Sequence, residues 1–460
     1  MVKGWVFFTA FLCVTVAMAA DVWPDGTEID PWFGDVKPVE IAALGKAYRL
    51  NDNFVFPDGE THTREIQALI DRAAKKGGGV IVVPPGVYRT GSLFFRPGVH
   101  LRLEEGAVLF GSDNPLDYPI VDTRIEGKCR KFVAALVNAD SCDGFTITGP
   151  GIIDGNGYRA WRSAVMRHEW SDTAVNLDEQ RARLLHVARS KDVRIENVRL
   201  QNPQFWTQHF WDCENVKLVG VTVYSPNGPK GHVKSCTDAL DLDETRNVLV
   251  RNCRFANYDD AVSLKGNGGA ATENILIEDC AFGFCHGALV LGSEAKRVRN
   301  VLMRRCTMDH AMRVLWIKFR ADMAQHYDYV TVEDVSGSSE WFFFARQFSD
   351  NRDLRTRLTD EELAARRSVA DHFAMRNCRI DCREFFHMTV TPDVGSLSDF
   401  SFAGLDVRGE NVAYDLSGIV RCDFRGVKLA EKQWTGCRHG VGPVKRPNAG
   451  VSSPCINCGR

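Results

Sequence analysis

A six-residue pattern that recurs along the chain constrains its fold more than any other feature. The pattern reads apolar, any, apolar, any, then Asn, Asp, Gly or Arg, then Cys or another apolar residue. It begins at nine places, namely Phe145, Val193, Val216, Val248, Ile275, Val301, Val330, Phe373 and Phe400. Successive starts lie 27 and 26 residues apart between Val248 and Val301. Its alternation with period two predicts a β-strand in each unit.

Units of this length cannot bury their own apolar face, whereas stacked copies can. We therefore predict an all-β fold, a right-handed parallel β-helix that forms a single domain over residues 20–460. A leucine-rich repeat has a similar period, but its leucine–asparagine signature is missing, and a WD-type propeller needs units of about 40 residues. Cysteine shares the sixth position with Val and Leu, which favours buried free thiols over disulfides at Cys253, Cys280, Cys306 and Cys378.

The first 19 residues have the features of a signal peptide. Lys3 supplies a positive charge, an apolar stretch runs from Trp5 to Val16, and Ala17-Met18-Ala19 fits a cleavage site. We therefore expect a secreted or periplasmic protein, without a membrane span because no later apolar run is long enough. In an exported protein, disulfides are favoured over a zinc site for the C-terminal Cys437, His439, Cys455 and Cys458.

Two helices are predicted outside the repeats. Thr63 to Lys76 places Ile66, Leu69, Ile70 and Ala73 on one face, and this helix is expected to cap the open N-terminal end of the β-helix. Thr359 and Glu362 form a capping box before a second helix over Leu363 to Ala370, inside a side loop from Ser336 to Asp371. The net charge of −2 gives no basic footprint for nucleic acid, and we expect a monomer.

Candidate catalytic residues share one frame of the repeat. Asp238, Asp260, Gly287 and Arg313 align, while Asp259 and His286 occupy the preceding position of successive coils. Adjacent strands lie about 4.8 Å apart, so Asp238 and Asp260 can hold a water between them. Three crowded acids repel, and at least one should have a raised pKa and stay protonated. Such a set suits glycoside hydrolysis with inversion, in which acid and base stand about 6.5–9.5 Å apart.

Turn formation competes with catalysis as the role of these acids. An isolated Asp–Asp pair in a β-helix is more often turn chemistry than catalysis. Asp241 and Asp243 follow Asp238 on one strand and are expected to decorate an outer face. The convergence of three acids, a histidine and a lysine on neighbouring coils favours catalysis.

Four ordered motifs resemble glycoside hydrolase family 28, the polygalacturonase family, whose motifs read approximately NTD, DD, GHG and RIK. Here they are Cys236-Thr237-Asp238, Asp259-Asp260, Cys285-His286-Gly287 and Trp316-Ile317-Lys318, and upstream segments such as GIIDGNG at Gly151 to Gly157 also resemble bacterial members. The resemblance implies cleavage of α-1,4 bonds between galacturonic acid units of pectin, without cofactor or metal. It also implies roles for the motif residues: Asp259 as general acid, Asp238 and Asp260 as activators of water, His286 as support for the acid, and Lys318 as a ligand of a substrate carboxylate.

The chain departs from this family pattern at Trp316, where the family has an arginine. An arginine can donate two hydrogen bonds to a sugar carboxylate and a tryptophan cannot, so the change weakens the prediction that galacturonate binds at this subsite. Trp316 can instead stack on a less acidic sugar such as rhamnose, or pack under the side loop. Arg313 is a candidate substitute donor. Lys230, in the stretch Gly228 to Ser235, can restore positive charge over the cleft or lie in solvent.

Phe205, Trp206 and His209 lie two coils upstream and can line sugar subsites, although apolar packing of Phe205 and Trp206 is equally expected. The sequence thus predicts a secreted hydrolase of galacturonic-acid-containing pectic poly- or oligosaccharide. Exo action is favoured because the loops Gly228 to Ser235 and Ser336 to Asp371 can close one end of the cleft. A rhamnogalacturonan-type hydrolase is the alternative on the same scaffold. Two further alternatives belong to other functional classes, namely a calcium-dependent pectate lyase and a noncatalytic carbohydrate-binding β-helix.

Overall fold

The chain winds into stacked coils whose strands pair in parallel with those of the neighbouring coils. The computed structural model describes residues 21–52, 54–225, 236–347 and 359–435. One face of the coils, called sheet A, has 13 strands. In chain order they are Ala47–Arg49, Gly79–Val83, Val99–Leu103, Thr146–Thr148, Lys191–Glu196, Glu214–Val219, Arg246–Arg251, Thr272–Glu278, Arg297–Arg304, His326–Glu333, Ser368–Arg376, Gly395–Ala403 and Ile419–Arg425. The predicted right-handed parallel β-helix is confirmed.

A second hydrogen-bonded sheet of 19 strands covers the other two faces. Three long strands belong to both faces and join them: Thr307–Phe319, Ser336–Gln347 and Arg379–Thr389. The remaining strands of the face that follows sheet A, called sheet B, are Gly86–Thr90, Ala107–Gly111, Ile152–Asp154, Arg199–Gln201, Thr222–Ser225, Arg254–Asn257, Ala281–Phe282, Asp406–Asn411 and Lys428–Glu431. The remaining strands of the third face, called sheet C, are Leu93–Phe94, Val137–Asp140, Leu185–Ala188, Gln208–Trp211, Leu240–Asp243, Asp260–Gly266 and Gly287–Ala295.

The register of sheet A follows the sequence repeat residue for residue. Eight of the nine pattern starts are successive partners across the sheet, namely Val193, Val216, Val248, Ile275, Val301, Val330, Phe373 and Phe400. The fifth residue of every unit has a positive φ, for example 56° at Asn252 and 52° at Arg305. This left-handed turn carries the chain from sheet A to sheet B, which explains why Asn, Asp and Gly dominate the fifth position.

The sixth residue of every unit from Val193 onward is buried in the core after this turn. Cys253, Cys280, Cys306 and Cys378 are all buried and free there, as predicted. Burial raises the pKa of the Cys378 thiol to about 12, so at neutral pH it is an unreactive, uncharged packing group. Stacked aromatic rings fill the C-terminal coils, such as Phe373 on Phe400 with ring centroids 4.8 Å apart.

Helices are few among the described residues. The α-helices are Thr63–Lys75, Tyr158–Trp170 and Asp360–Ala365, and the short 3-10 helices are Pro31–Gly34, Ile41–Leu44, Leu50–Asp52, Pro115–Asp117 and Asn176–Asp178. The first α-helix buries the four predicted apolar residues and packs against the strands Gly79–Val83 and Leu93–Phe94. Its role as a cap of the open end stays a prediction. Within the described parts of the chain, no helix is long and apolar enough to cross a membrane.

The side loop predicted between Ser336 and Asp371 is wrong in its extent. Ser336–Gln347 and Ser368–Arg376 are strands that pair with neighbouring coils. The capping box exists, since the backbone nitrogen of Glu362 donates to Thr359 Oγ1 over 3.2 Å. The helix after it ends at Ala365 rather than Ala370. The proposed signal peptide, the loop with Lys230 and the four C-terminal zinc or disulfide candidates lie outside the described residues.

An N-terminal strap, residues 21–39, crosses the outer face of sheet A. Trp23 and Phe33 bury their rings on a ladder of outward-facing leucines, Leu249, Leu276 and Leu302, which are register partners in successive strands. Polar contacts fix both ends of the strap. Arg304 forms an ion pair with Asp21, and the backbone nitrogen of Val39 donates to Glu196 Oε1 over 3.0 Å.

An antiparallel hairpin, Ile120–Ile125 with Lys128–Val133, covers part of the outer face of sheet C. Arg124 on this hairpin donates from Nε and Nη2 to both carboxylate oxygens of Asp243, over 2.7 and 3.0 Å. At its tip, a Cβ built on Gly127 would lie 2.9 Å from Asn267 Cβ and 3.2 Å from Glu294 Cβ. The hairpin thus reaches across several coils and converts part of an outer sheet surface into a buried layer.

Candidate active site

The three acidic residues of the predicted frame meet where the chain enters sheet C. Asp238 precedes the strand Leu240–Asp243, and Asp260 begins the next strand of the sheet. The backbone nitrogen of Ala239 donates to the carbonyl oxygen of Asp260 over 2.9 Å. Asp260 in turn is the register partner of Gly287. The frame found in the sequence is therefore the register of the sheet.

One carboxylate oxygen from each of Asp238, Asp259 and Asp260 lies within 4.8 Å of the others. This is closer than the about 6.5–9.5 Å that separates the two carboxyls of most inverting glycosidases, so the expected wide spacing is wrong for this chain. The reason is geometric, because carboxylates on adjacent rungs or adjacent residues inherit the strand spacing of about 4.8 Å. A water molecule held between them would touch all three.

The pKa values of Asp238 and Asp259 shift in opposite directions. Burial, followed by the charges of Asp259 and Asp241, raises the pKa of Asp238 well above its ordinary value. Burial is the largest influence on the pKa of Asp259 and raises it, but the charge and hydrogen bond of His286, together with the charges of Lys318 and Lys265, outweigh burial, so the net shift is downward. His286 Nδ1 lies 3.2 Å from Asp259 Oδ1. The protonated carboxyl expected from crowding is thus Asp238 in this structure, rather than Asp259.

Two lysines lie beneath the acids. Lys318 Nζ donates to Asp260 Oδ2 over 2.6 Å, so the residue expected to bind a substrate carboxylate already holds a carboxylate of the protein. Lys265 Nζ lies 3.8 Å from Asp238 Oδ2 and 3.4 Å from Asp241 Oδ1. Sequence reasoning missed Lys265, although its place beside Asp243 in the register of sheet C follows from the repeat.

Trp316 packs inside an apolar cluster rather than opening to solvent. It is 6% exposed and contacts Val290, Met312, Trp341 and Phe344. The Arg313 guanidinium and the Lys318 ammonium each lie 3.9 Å from the centre of an indole ring of Trp316. Of the two predicted roles, sugar stacking and packing, the structure favours packing, although the partner is this cluster and not a side loop.

Arg313 is buried among these rings instead of being free to bind a sugar. Its guanidinium also faces the rings of Trp341 and Phe344, at 4.9 and 4.5 Å. Its Nη1 donates to the backbone carbonyl of His286 over 2.9 Å. Burial lowers the pKa of Arg313 to about 9. The predicted role as a substitute substrate donor therefore gives way to a supporting role beneath His286.

The upstream residues proposed for sugar subsites are buried. His209 is 0% exposed and accepts a hydrogen bond at Nδ1 from Arg183 Nη1 over 2.6 Å, while Trp206 stacks on Phe205 and is 4% exposed. Asp241 and Asp243 are likewise 0% and 1% exposed, so the expectation that they decorate a solvent-facing surface is wrong. Arg124 of the hairpin covers Asp243, and Lys265 lies beside Asp241.

Among the residues that the structure describes, two groups of side chains have a spacing that would admit a cation. The first is the acidic trio, where Lys318 and Lys265 already supply positive charge, so we do not regard these residues as metal ligands. The second is His326, Asp328 and Asp371 on sheet A. There Arg297 donates to both His326 and Asp328, so its guanidinium already supplies the positive charge that a metal ion would bring.

The fold and these residues define a parallel β-helix protein with an acidic cleft built from three carboxylates, a histidine and two lysines. Residues 120–337, which carry all four motifs, match the family model of glycosyl hydrolases family 28.

Comparisons with curated proteins extend the match. The chain is 27% identical over 277 residues to an endo-polygalacturonase of Pectobacterium carotovorum subsp. carotovorum, covering 57% of this chain and 65% of that protein. It is also 27% identical over 320 residues to an exo-poly-alpha-D-galacturonosidase of Dickeya chrysanthemi, covering 59% and 51% respectively. The matches thus span between half and two thirds of these relatives.

Solved structures agree in fold. An exopolygalacturonase from Thermotoga maritima superimposes with a TM-score of 0.69 at 20% identity, covering 86% of this chain and 95% of that one. A polygalacturonase from Erwinia carotovora ssp. carotovora superimposes with a TM-score of 0.61 at 20% identity, covering 82% and 96%.

Proposed function

We propose that this protein hydrolyses α-glycosidic bonds of galacturonic-acid-containing pectic poly- or oligosaccharide. The observation that carries the proposal is the contact of Asp259 with His286 directly beside Asp238 and Asp260, in a region that matches the family model of glycosyl hydrolases family 28. The relatives named polygalacturonase or galacturonosidase support the same substrate class. The proposal treats residues 20–460 as one domain of a secreted, monomeric protein.

The proposed reaction uses the acids in two roles. Asp259, the most exposed of the three with 23% of its side chain accessible, donates a proton to the leaving oxygen. His286 holds that carboxyl in place. Asp238 and Asp260 hold and deprotonate the attacking water. Asp260 Oδ1 is buried and, within the described residues, has no hydrogen-bond partner, which leaves an acceptor for such a water.

The downward pKa shift of Asp259 applies to the site without substrate. A galacturonate unit brings its own carboxylate, and a bound sugar also displaces water from the cleft. Both effects favour the protonated form of a neighbouring acid. Substrate binding would therefore raise the pKa of Asp259 toward the value that a general acid needs.

Inversion of configuration is part of the proposal and comes from the family resemblance, since the carboxyl spacing does not support it. An inverting enzyme releases a product whose anomeric configuration is opposite to that of the bond it cleaves. Proton NMR of the first product of a short oligogalacturonide distinguishes the two routes before mutarotation mixes the anomers.

Exo action is favoured by the hairpin over sheet C. Its tip packs against Asn267 and Glu294, so one side of the acidic cleft is walled before any substrate binds. The solved exopolygalacturonase from Thermotoga maritima supports the same choice only through its fold. Endo-acting relatives match equally well in sequence, so the size distribution of products must decide.

A rhamnogalacturonan-type hydrolase is the second candidate, because of Trp316. With an indole in place of the family's arginine, the described cleft offers one fewer guanidinium for a sugar carboxylate, and the nearby Arg313 is enclosed by rings. A neutral deoxy sugar at that subsite would need no such donor. The galacturonate proposal includes Lys318 as a predicted ligand of the sugar carboxylate. It also includes Lys230, which lies outside the described residues.

The test is to incubate the protein with homogalacturonan, rhamnogalacturonan and short oligogalacturonides, and to size the products. Release of reducing ends that Asp259→Asn reduces by at least about 100-fold is expected. Asp309→Asn is the matched control, since Asp309 also contacts a histidine, His310, but lies exposed away from the cleft. An ultraviolet-absorbing unsaturated product would identify a lyase instead, and binding without new reducing ends would identify a noncatalytic protein.

A further inference from the structure

Asp241 is a buried carboxyl that the proposed hydrolysis does not use. It is 0% exposed, and no donor among the described residues forms a hydrogen bond with either of its oxygens. Lys265 Nζ lies 3.4 Å from Oδ1, an ion-pair distance that is long for a hydrogen bond. A buried carboxylate without hydrogen bonds is costly, so some neighbouring group must stabilise it.

One such group is the ammonium of Lys265, and the other is the carboxyl of Asp238. The side chains of Asp238 and Asp241 are within hydrogen-bond contact, and both face the same ammonium group of Lys265. Two ionised carboxylates have only acceptors and repel each other, whereas a carboxylic acid donates to a carboxylate. The contact therefore requires one proton on the pair. A single lysine then faces a pair whose total charge is −1.

We propose that Asp238 and Asp241 share one proton and that this pair, rather than Asp238 alone, accepts the proton of the attacking water. The inference rests on the proposed hydrolysis. In the step, the water oxygen bonds to the anomeric carbon while the bond to the leaving oxygen breaks, and Asp259 protonates that oxygen. Asp238 takes a proton from the water and passes its own to Asp241. The charge of the pair changes from −1 to 0, and Asp241 acts as a positioning residue because it reaches the water only through Asp238.

The charges around the pair fit this arrangement. Burial raises the pKa of Asp241 to about 7, and it raises that of Asp238 further with the help of nearby carboxylates. The charged or titratable groups that face the pair are Lys265, Asp259, Asp260, Glu294, Glu126, Cys236, Arg183 and the buried His209. Asp243, two residues further along the strand, is instead held by Arg124 and does not face Asp238.

The test compares Asp241→Asn with Asp243→Asn, two isosteric changes at buried positions of one strand. We expect Asp241→Asn to lower kcat about 100-fold and to remove one ionisation from the pH–rate profile, because an amide hydrogen-bonds to Asp238 but cannot take its proton. Asp243→Asn should lower stability, since it weakens the ion pair with Arg124, yet keep the shape of the profile. Matching profiles for the two variants would overturn the proposal.

A second measurement uses only the wild-type protein, without substrate. Infrared titration of the wild-type protein with isotope-labelled aspartate should show a buried carboxylic-acid band that persists well above the ordinary pKa range of aspartate, because burial raises the pKa of Asp238 far above it. Absence of a protonated aspartate at about pH 6, below the pKa of the pair, would overturn the shared proton. If the wild-type protein releases no reducing ends, the proposed hydrolysis fails, whereas the infrared result still decides whether the pair holds a proton.

Discussion

His286 contacts Asp259 twice, through its ring and through its backbone. Nδ1 of the ring lies 3.2 Å from Asp259 Oδ1, and the backbone nitrogen donates to the carbonyl oxygen of Asp259 over 2.8 Å. The backbone bond is a rung between adjacent coils, so the imidazole is placed on the acid by the fold itself. Sheet register therefore determines the electrostatics of the acid.

Replacing His286 by Ala should raise the pKa of Asp259. Burial raises this pKa, and His286 is the largest of the groups that lower it, ahead of Lys318 and Lys265, so removing the histidine shifts the pKa upward. In the wild type the lowered pKa contributes stability above the unfolded value of about 3.9, which is lost as pH falls through the folded value. Carboxyl-detected NMR titration of both proteins measures the shift. His310→Ala, at a similar but exposed His–Asp contact, should leave Asp259 unchanged.

Arg313→Lys should lower kcat by about 10- to 100-fold with little change in KM, because a displaced support shifts the residue it positions. A lysine cannot both lie flat on Trp316 and donate to the carbonyl of His286. Steady-state kinetics on an oligogalacturonide separate the two constants. The matched control is Arg383→Lys, because Arg383 lies over Trp341 at 4.4 Å but is not bonded to His286. Equal losses in both variants would contradict the assigned role.

Restoring the family arginine with Trp316→Arg should destabilise the protein without improving cleavage of homogalacturonan. The substitution removes a buried indole, for which truncations typically cost about 3–5 kcal/mol, and puts a third cation beside Arg313 and Lys318. Thermal unfolding measures the first effect and initial rates measure the second. Trp316→Phe should recover most of the lost stability. An active, stable arginine variant would show that the cluster tolerates a charge and that the subsite takes galacturonate.

Trp23→Ala in the N-terminal strap should destabilise the protein by about 3 kcal/mol, since it uncovers the leucines on sheet A. Denaturant unfolding followed by circular dichroism measures the loss. Trp32→Ala is the comparison, because Trp32 is only partly buried and contacts Lys217 at 4.2 Å, so its removal should cost less. A similar loss for both would mean that the leucine ladder is not what the strap stabilises.

The sheet register could be predicted because each coil repeats the same apolar alternation, and a slip by one residue would turn every core side chain outward. Val248, Ile275 and Val301 are register partners for that reason. The meeting of Asp238, Asp259, Asp260 and His286 follows directly from the register.

Contacts between parts of the chain that share no repeat could not be predicted. The burial of Asp243 depends on Arg124, 119 residues earlier, and the burial of Leu276 depends on the strap. A repeat pattern shows an outward-facing carboxylate or leucine but not what covers it. For the same reason the pattern places Trp316 and Arg313 in the cleft, although long side chains from three coils enclose them.

The strap also changes how the protein can come apart. Coils of a solenoid contact only their neighbours, so such proteins can fray from an end one repeat at a time. Here one segment contacts five successive strands of sheet A, from Lys191–Glu196 to Arg297–Arg304, through hydrogen bonds, an ion pair and apolar packing. These strands include the coils that carry the acids. Loss of any one of them must release the strap from the rest, so the catalytic coils are expected to open as a single cooperative unit.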